Sequence, residues 1–456
     1  MSAGVDETVR VGAVPRPGGV RELIGLALPV ILTNLSQTLM MAIDAAMVGR
    51  LGASALGAVG YGGIWYWTAM SAFSGAATGV QTFVAQAHGS AAHERCGRWA
   101  WQGWYAIVPI ATLAIGAFAF GFDELLDVLR PDAALRPQAI AYVQARVVGV
   151  PGLMTALVLS SFFRGIGDTR TPLYAMVTAN IVNLVLNYAL IFGHFGLPAW
   201  GVAGSGIATA VAEWVQAGWL CAVFFGAAMR RRYHTAPSAP DVMAIRRFTR
   251  TSAPIGGQWV LDMLAFAVFS TLVARMGTSE MAASQALISL MHLSFMTVIG
   301  VQMAVATMVG RYIGAGNFAA AERSHASAVR VGLSLACAVA ALFLLAPEFC
   351  LRLFTADPDV VRLGIPLLAV GAAFGVTDAI GLVSGGALRG AGDTRWPFLV
   401  QTSFAWGVFL PSAYLFGVTL GGGLSGAWLG GVLYLALLGA ALQWRFRSGV
   451  WRRVRL

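Results

Sequence analysis

The sequence predicts an all-α polytopic membrane protein, with twelve transmembrane helices in two six-helix lobes related by internal duplication. Three observations carry this reading. Hydrophobic residues make up 58% of the 456 positions and charged residues 11%, with a mean hydropathy of +0.73, whereas soluble proteins carry about 25% charge. Twelve apolar runs are long enough to cross a bilayer as helix. The phrase RGIGDTRTP at 164–172 returns as RGAGDTRWP at 389–397, identical at seven of nine positions and 225 residues further on.

In chain order, residues 1–22 read as a polar cytoplasmic segment (Asp6, Glu7, Arg10, Arg16). The first apolar run, near 23–48, is too long for the core of a signal peptide and lacks a small-residue cleavage site, so it is expected to stay as a membrane helix. Runs near 55–86, 99–121, 138–163, 172–194 and 202–228 complete an N-lobe over 23–228. A basic, proline-containing linker is expected over 229–250. Runs near 252–274, 280–310, 327–347, 360–387, 397–418 and 424–444 then form a C-lobe over 251–446, followed by a basic tail, 447–456. A closed β-barrel would need short alternating strands, which the sequence does not show.

The duplication leaves further traces at the same offset. Pro29 matches Pro254, and RLG at 50–52 matches RMG at 275–277. Each half holds an even number of helices, so both enter the membrane from the same side and are parallel repeats about an axis along its normal.

Net charge is +10, from 30 basic residues, all arginine, against 20 acidic ones. The arginines sit in short loops after the even-numbered helices and in the tail, including Arg95, Arg98, Arg164, Arg230, Arg311, Arg389 and Arg445. The intervening loops are acidic, with Asp123, Glu124 and Asp127, then Glu348 and Asp359. This asymmetry predicts that both termini are cytoplasmic, and it assigns the positive charge to topology rather than to nucleic acid. The repeated phrase then reads as the cytoplasmic turn between helices 4 and 5 and again between helices 10 and 11. Arginine anchors at headgroup level, glycines allow a tight turn, and proline starts the next helix; gating on that side is the alternative. Cys96, Cys221, Cys337 and Cys350 show no CxxC spacing and no His-rich neighbourhood, so neither a disulfide framework nor a metal site is expected.

Four acids fall inside the apolar runs: Asp44, Glu213, Asp262 and Asp378. A charge at such depth costs about 3 kcal/mol or more unless paired or hydrated, so each is a functional candidate. Gln37 lies seven residues before Asp44 and Gln258 one turn before Asp262, each on the face of its acid. Arg146 is expected to snorkel from a helix end, leaving the acids without a mid-helix cation, and Glu213 reads as a structural residue at a cytoplasmic end. Protonation or cation binding could discharge Asp44, Asp262 and Asp378, as a coupling site requires.

Polar stripes accompany the acids: Asn180, Asn183 and Asn187 on helix 5, and Gln285, Ser289 and His292 on helix 8, as cavity lining or interhelical glue. Met40, Met41, Met47, Met70, Met291, Met296 and Met303, with Trp65, Tyr66 and Trp67, are candidate pocket walls for apolar cations. The chain lacks GxSxG, HExxH and P-loop motifs. An enzyme would have to rest on Asp262 meeting Asp378, and nothing else in the sequence supports one.

Over essentially its whole length the sequence resembles the multidrug and toxic compound extrusion (MATE) transporters. The marks are LPVILTNLSQTL leading to IDAAMVGRLG, VAQAHG, YVQARVVGVPG, and RGIGDTRTP with its twin RGAGDTRWP. The resemblance implies a V-shaped pair of lobes exporting cationic or amphipathic compounds in exchange for sodium ions or protons. Asp44 resembles the family's helix-1 coupling aspartate, Pro29 the proline where helix 1 can bend, and Asn183 its helix-5 asparagine. Where one branch has a second helix-5 aspartate, this chain has Asn187. Asp262 and Asp378 resemble the sodium-linked pair of the NorM-like branch. The resemblance thus implies a secondary antiporter with no cofactor beyond the coupling ion, working as a monomer in membrane lipid, with a bacterial inner membrane as the expected location. The alternatives are a lipid-linked sugar flippase of related fold, or a membrane enzyme or scaffold that transports nothing.

Overall fold

The computed structural model describes residues 17–129, 135–353 and 357–454. Asp6, Glu7, Arg10 and Arg16 of the polar segment lie outside them. Among the described residues there is helix, turn and coil but no strand. The N-lobe comprises α1 (Val20–Gly49), α2 (Ala53–Ala77, continued by Gly79–Gly89), α3 (His93–Phe120), α4 (Arg136–Val147 and Val150–Gly165), α5 (Arg170–Phe192) and α6 (Gly201–Phe224). The C-lobe comprises α7 (Val242–Ala274), α8 (Thr278–Gly314), α9 (Phe318–Leu345), α10 (Pro358–Ala391), α11 (Arg395–Thr419) and α12 (Gly423–Arg447). Ten of these are singly long and apolar enough to span a membrane, and α4 adds an eleventh when its two segments, bent by 52°, are joined. The twelfth, α2, with five glycines, two tryptophans and two tyrosines between Ala53 and Ala77, is less apolar than the rest.

Helix starts keep the 225-residue register of the repeat. Ala53 and Thr278, His93 and Phe318, and Arg170 and Arg395 begin equivalent helices, and even the short helices Phe122–Leu129 and Pro347–Arg352 start 225 apart. The copies differ inside the helices. The bend in α4 falls at Val148–Gly149, where Pro151 in the next turn removes a backbone donor, while α10 runs unbroken at the equivalent place. Residues 405–409 and 415–419 of α11 wind as π-helix.

The linker carries helix at both of its ends. Ala227–Tyr233 is helical, and α7 begins at Val242 because Asp241 caps it, accepting from the backbone N–H of Met243 at 2.9 Å and Ala244 at 3.2 Å. Between them the chain is tied to α3. The buried Gln102 donates to Ala239 O at 3.0 Å and accepts from Asp241 N at 2.8 Å, and Tyr105 donates to Ser238 O at 3.0 Å.

The first helix of each lobe crosses to the other. Leu23, Leu26 and Ala27 of α1 belong to the C-lobe core. On the symmetric side Gly75 of α2 meets the Gly256 Cα of α7, and Gly300 of α8 meets Ile31 of α1. Positions 75 and 300, and 31 and 256, are related by the same 225-residue offset. All these contacts fall toward the arginine-rich end, and there the lobes lock together. Thr82 Oγ1 donates to Arg389 O at 2.9 Å, while Thr307 Oγ1 donates to Arg164 O at 3.1 Å; both threonines and both arginines are repeat mates. A Cβ at Gly89 would lie 1.9 Å from Arg311 O, and one at Gly314, its mate, 2.1 Å from Gln86 O. Gly167 and Gly392, both at φ +85°, make the turn that presents the two arginine carbonyls; an L side chain is disfavoured there. The repeated phrase is therefore part of the inter-lobe closure, beyond the turn expected from the sequence.

Candidate functional site

In the N-lobe, three helices converge on Asp44. Asn187 of α5 donates to Asp44 Oδ1, and at 3.0 Å to Asn183 Oδ1; Asn183 donates to Thr209 Oγ1 of α6 at 3.3 Å, and Thr209 Oγ1 lies 3.2 Å from Asp44 Oδ2. Asn183 and Asn187 are buried, one turn apart on the same face. Asn180 stands apart from this network, donating to Ser36 O at 2.8 Å. Gln37 is half-buried on α1. Pro29 sits within a helix assigned continuously from Val20 to Gly49, where Thr33 Oγ1 donates to Pro29 O at 2.8 Å.

Two expectations need correction here. Arg146 does not snorkel. It is 3% exposed and its Nη2 lies 2.9 Å from Glu213 Oε1, with the guanidinium 4.7 Å from the Tyr66 ring centroid. Glu213 is accordingly a buried mid-helix residue of α6, 5% exposed, and not a cytoplasmic-end one. The bend at Val148–Gly149 makes this possible, turning the chain just after Arg146, and Gly149 leaves room for the carboxylate; a Cβ there would lie 2.2 Å from Glu213 Oε2. Tyr66 and Met70 are in the N-lobe core at 1% and 0% exposure and line no cleft.

In the C-lobe a directional chain of hydrogen bonds ends on Asp262. Arg389 Nη2 donates to Gln258 Oε1 at 3.3 Å, Gln258 Nε2 donates to Gln401 Oε1, and Gln401 Nε2 donates to Asp262 Oδ2 at 2.6 Å. Arg389 is the residue whose carbonyl accepts from Thr82 of the opposite lobe, so one side chain and its own backbone join the acid to the closure. Asp378 of α10 lies within electrostatic range of Asp262, and Tyr434 of α12 within range of both. Among the described residues the Asp378 carboxyl makes no hydrogen bond to protein. Gln285, Ser289 and His292 are exposed on α8, away from these acids' hydrogen bonds.

Thr209, Gln401 and the Arg146–Glu213 pair escape sequence reasoning, because each is one polar residue in an apolar run whose partner lies more than 60 positions away. The register does disclose one asymmetry. Subtracting 225 from Asp262 gives Gln37, and adding 225 to Asp44 gives Phe269, so the two acids occupy non-equivalent places in the repeat.

A third cluster includes one of the four cysteines. His88, His93 and Cys96 converge, with ligand-capable atoms all within 4.8 Å of one another. A signal was present in the sequence as H-x4-H-x2-C, but it spans the break between α2 and α3 and includes no CxxC.

The MatE family profile matches residues 29–189 and 254–415, two segments that begin at the repeat mates Pro29 and Pro254. A probable multidrug resistance protein NorM of Pseudomonas putida is 31% identical, over 96% of this chain and 95% of that protein. Multidrug resistance protein MdtK of Yersinia enterocolitica is 28% identical over 94% of this chain and 95% of its own length. The fold matches that of a multidrug resistance MATE family transporter solved in an outward-facing conformation, with a TM-score of 0.86, 21% identity, and coverage of 95% and 97% of the two chains. Two homologous six-helix lobes, an acid network in each and a match along both halves make one conclusion: this chain belongs to the MATE family of transporters.

Proposed function

We propose that the protein is a secondary active antiporter that exports small cationic or amphipathic compounds in exchange for an inward-moving cation. The observation that carries this reading is the pair of acid networks, Asp44 in one lobe and Asp262 with Asp378 in the other, beyond a closure that joins the lobes at the arginine-rich end. Two carboxylates within range of each other repel unless a cation or proton sits between them. A bound ion therefore stabilises whichever lobe arrangement brings Asp262 and Asp378 together, and differential affinity of that kind is what drives alternation. Gln401, Gln258 and Arg389 carry the effect toward Thr82 across the lobes. Sodium is the favoured ion for the C-lobe pair, as a hard cation suited to oxygen ligands, with proton uptake at Asp44 as the competing route. The names of the NorM and MdtK relatives support drug-like substrates, and a bacterial inner membrane with the arginine-rich end cytoplasmic accords with the charge asymmetry.

The test is efflux of ethidium from proteoliposomes with sodium and pH gradients imposed separately. Wild type is expected to respond to the sodium gradient, and Asp262→Asn and Asp378→Asn each to lose that response. A response to pH alone that disappears in Asp44→Asn would move coupling to the N-lobe. No response to either gradient overturns the antiporter reading.

A further inference from the structure

The cluster at the arginine-rich end of the N-lobe has the composition of a transition-metal site, and we infer that His88, His93 and Cys96 bind a borderline-soft divalent transition ion of the zinc class next to the inter-lobe closure. Three donors come from two helix ends. His88 is in the last turn of the second α2 segment, and His93 and Cys96 are in the first turn of α3. The imidazole centroids are 5.0 Å apart, and the Tyr233 ring covers both, at 5.8 Å and 5.7 Å. Both histidines are half-buried, whereas Cys96 is 0% exposed. The second and independent observation is that Nδ1 of His88 and Nδ1 of His93 are both buried without a hydrogen-bond partner, two polar ring nitrogens in one place with nothing to satisfy them.

The donor set also selects the ion. Two imidazoles and a thiolate match zinc, with a fourth position left for water. Magnesium and calcium require oxygen ligands, and the cluster contains no carboxylate. Neighbouring Arg311 and Arg232 disfavour an ion held by charge alone, so donor strength must supply the affinity. On binding, the Cys96 thiol forms the metal–sulfur bond and its proton leaves to water. In the metal-free protein the Cys96 thiol instead donates to Val84 O at 3.8 Å, a contact that the metal–sulfur bond replaces.

Occupation has a consequence for the closure. Arg311 Nη2 of α8 approaches His88 Nε2 at 3.5 Å across the lobes. A neutral imidazole has one free lone pair; given to the metal, it is not available to Arg311. Metal binding and this inter-lobe contact therefore exclude each other, one residue from the Gly89–Arg311 backbone contact. The repeat mates of His88, His93 and Cys96 are Ile313, Phe318 and Ala321, so only one lobe carries the device.

The test uses the full chain, purified without a polyhistidine tag, titrated with Co2+ and then with Zn2+. One equivalent of Co2+ should give a thiolate-to-cobalt charge-transfer band that Zn2+ abolishes. Cys96→Ser should lose the band, and His88→Gln or His93→Gln should weaken Co2+ binding at least about tenfold. Metal-free thermal unfolding of each variant checks that it is folded; should Cys96→Ser fail that check, His93→Gln at a half-buried position gives the same reading. Absence of a thiolate band in wild type, or Co2+ binding that persists in all three variants, overturns the inference.

Discussion

Arg146 and Glu213 show how a residue that looks misplaced in a sequence becomes ordinary once its partner is found. A buried pair of this kind contributes little over an apolar pair of the same volume, but breaking it strands a charge. Arg146→Leu is therefore expected to destabilise the N-lobe by about 3–5 kcal/mol. Adding Glu213→Leu should recover most of that loss, read from denaturant unfolding in detergent. If the double variant is no more stable than the single one, the pair is not what holds Glu213. At the N-lobe acid, under the proposed coupling, Thr209→Val should leave Asp44 with Asn187 as its donor and change the ion dependence of efflux without unfolding the protein; an unchanged dependence would separate Thr209 from the site.

Among the helices, the lobe-crossing glycines and the cap of α7 make the clearest predictions. Gly89→Ala and Gly314→Ala each place a methyl group against a backbone carbonyl of the other lobe, at 1.9 Å and 2.1 Å, and a backbone atom cannot swing aside. Both should open the arginine-rich end, seen as increased labelling of a cysteine introduced at Thr82 by an impermeant thiol reagent added on that side. Gly60→Ala, which meets nothing within 4 Å, should leave labelling unchanged. Asp241 stands outside the membrane. The Ala244 N–H first, and then the Arg98 guanidinium, hold its carboxyl below the usual carboxylate range. A depressed folded-state value means that the stabilisation is complete above the unfolded value of about 3.9 and disappears as pH falls through the folded one. Asp241→Ala should thus lower stability at pH 7, and the difference from wild type should shrink under strongly acidic conditions.

For the whole molecule, the lobes meet at one end, and the acids lie beyond that meeting. Asp44 is ten residues beyond Asn34, whose side chain donates to Met296 O across the lobes, or about 15 Å further along α1 at 1.5 Å per residue. If exposed Gln285 and His292 face the open cleft, cysteines there should be labelled from the side opposite the arginine-rich end, and substrate should protect them; labelling without protection would place them on the lipid face. The sequence by itself determined the helix count, the two lobes and their register, because hydropathy and a 225-residue repeat are written locally. It also marked Asp44, Glu213, Asp262 and Asp378, since a charge in an apolar run is conspicuous wherever it lies. Which groups those acids meet was decided by tertiary structure alone: Asn187 and Thr209 for Asp44, Gln401 for Asp262, and Arg146 for Glu213 come from helices far apart in the chain. The same holds for the closure, since the Arg164 and Arg389 carbonyls acquire partners only when two copies of one fold face each other.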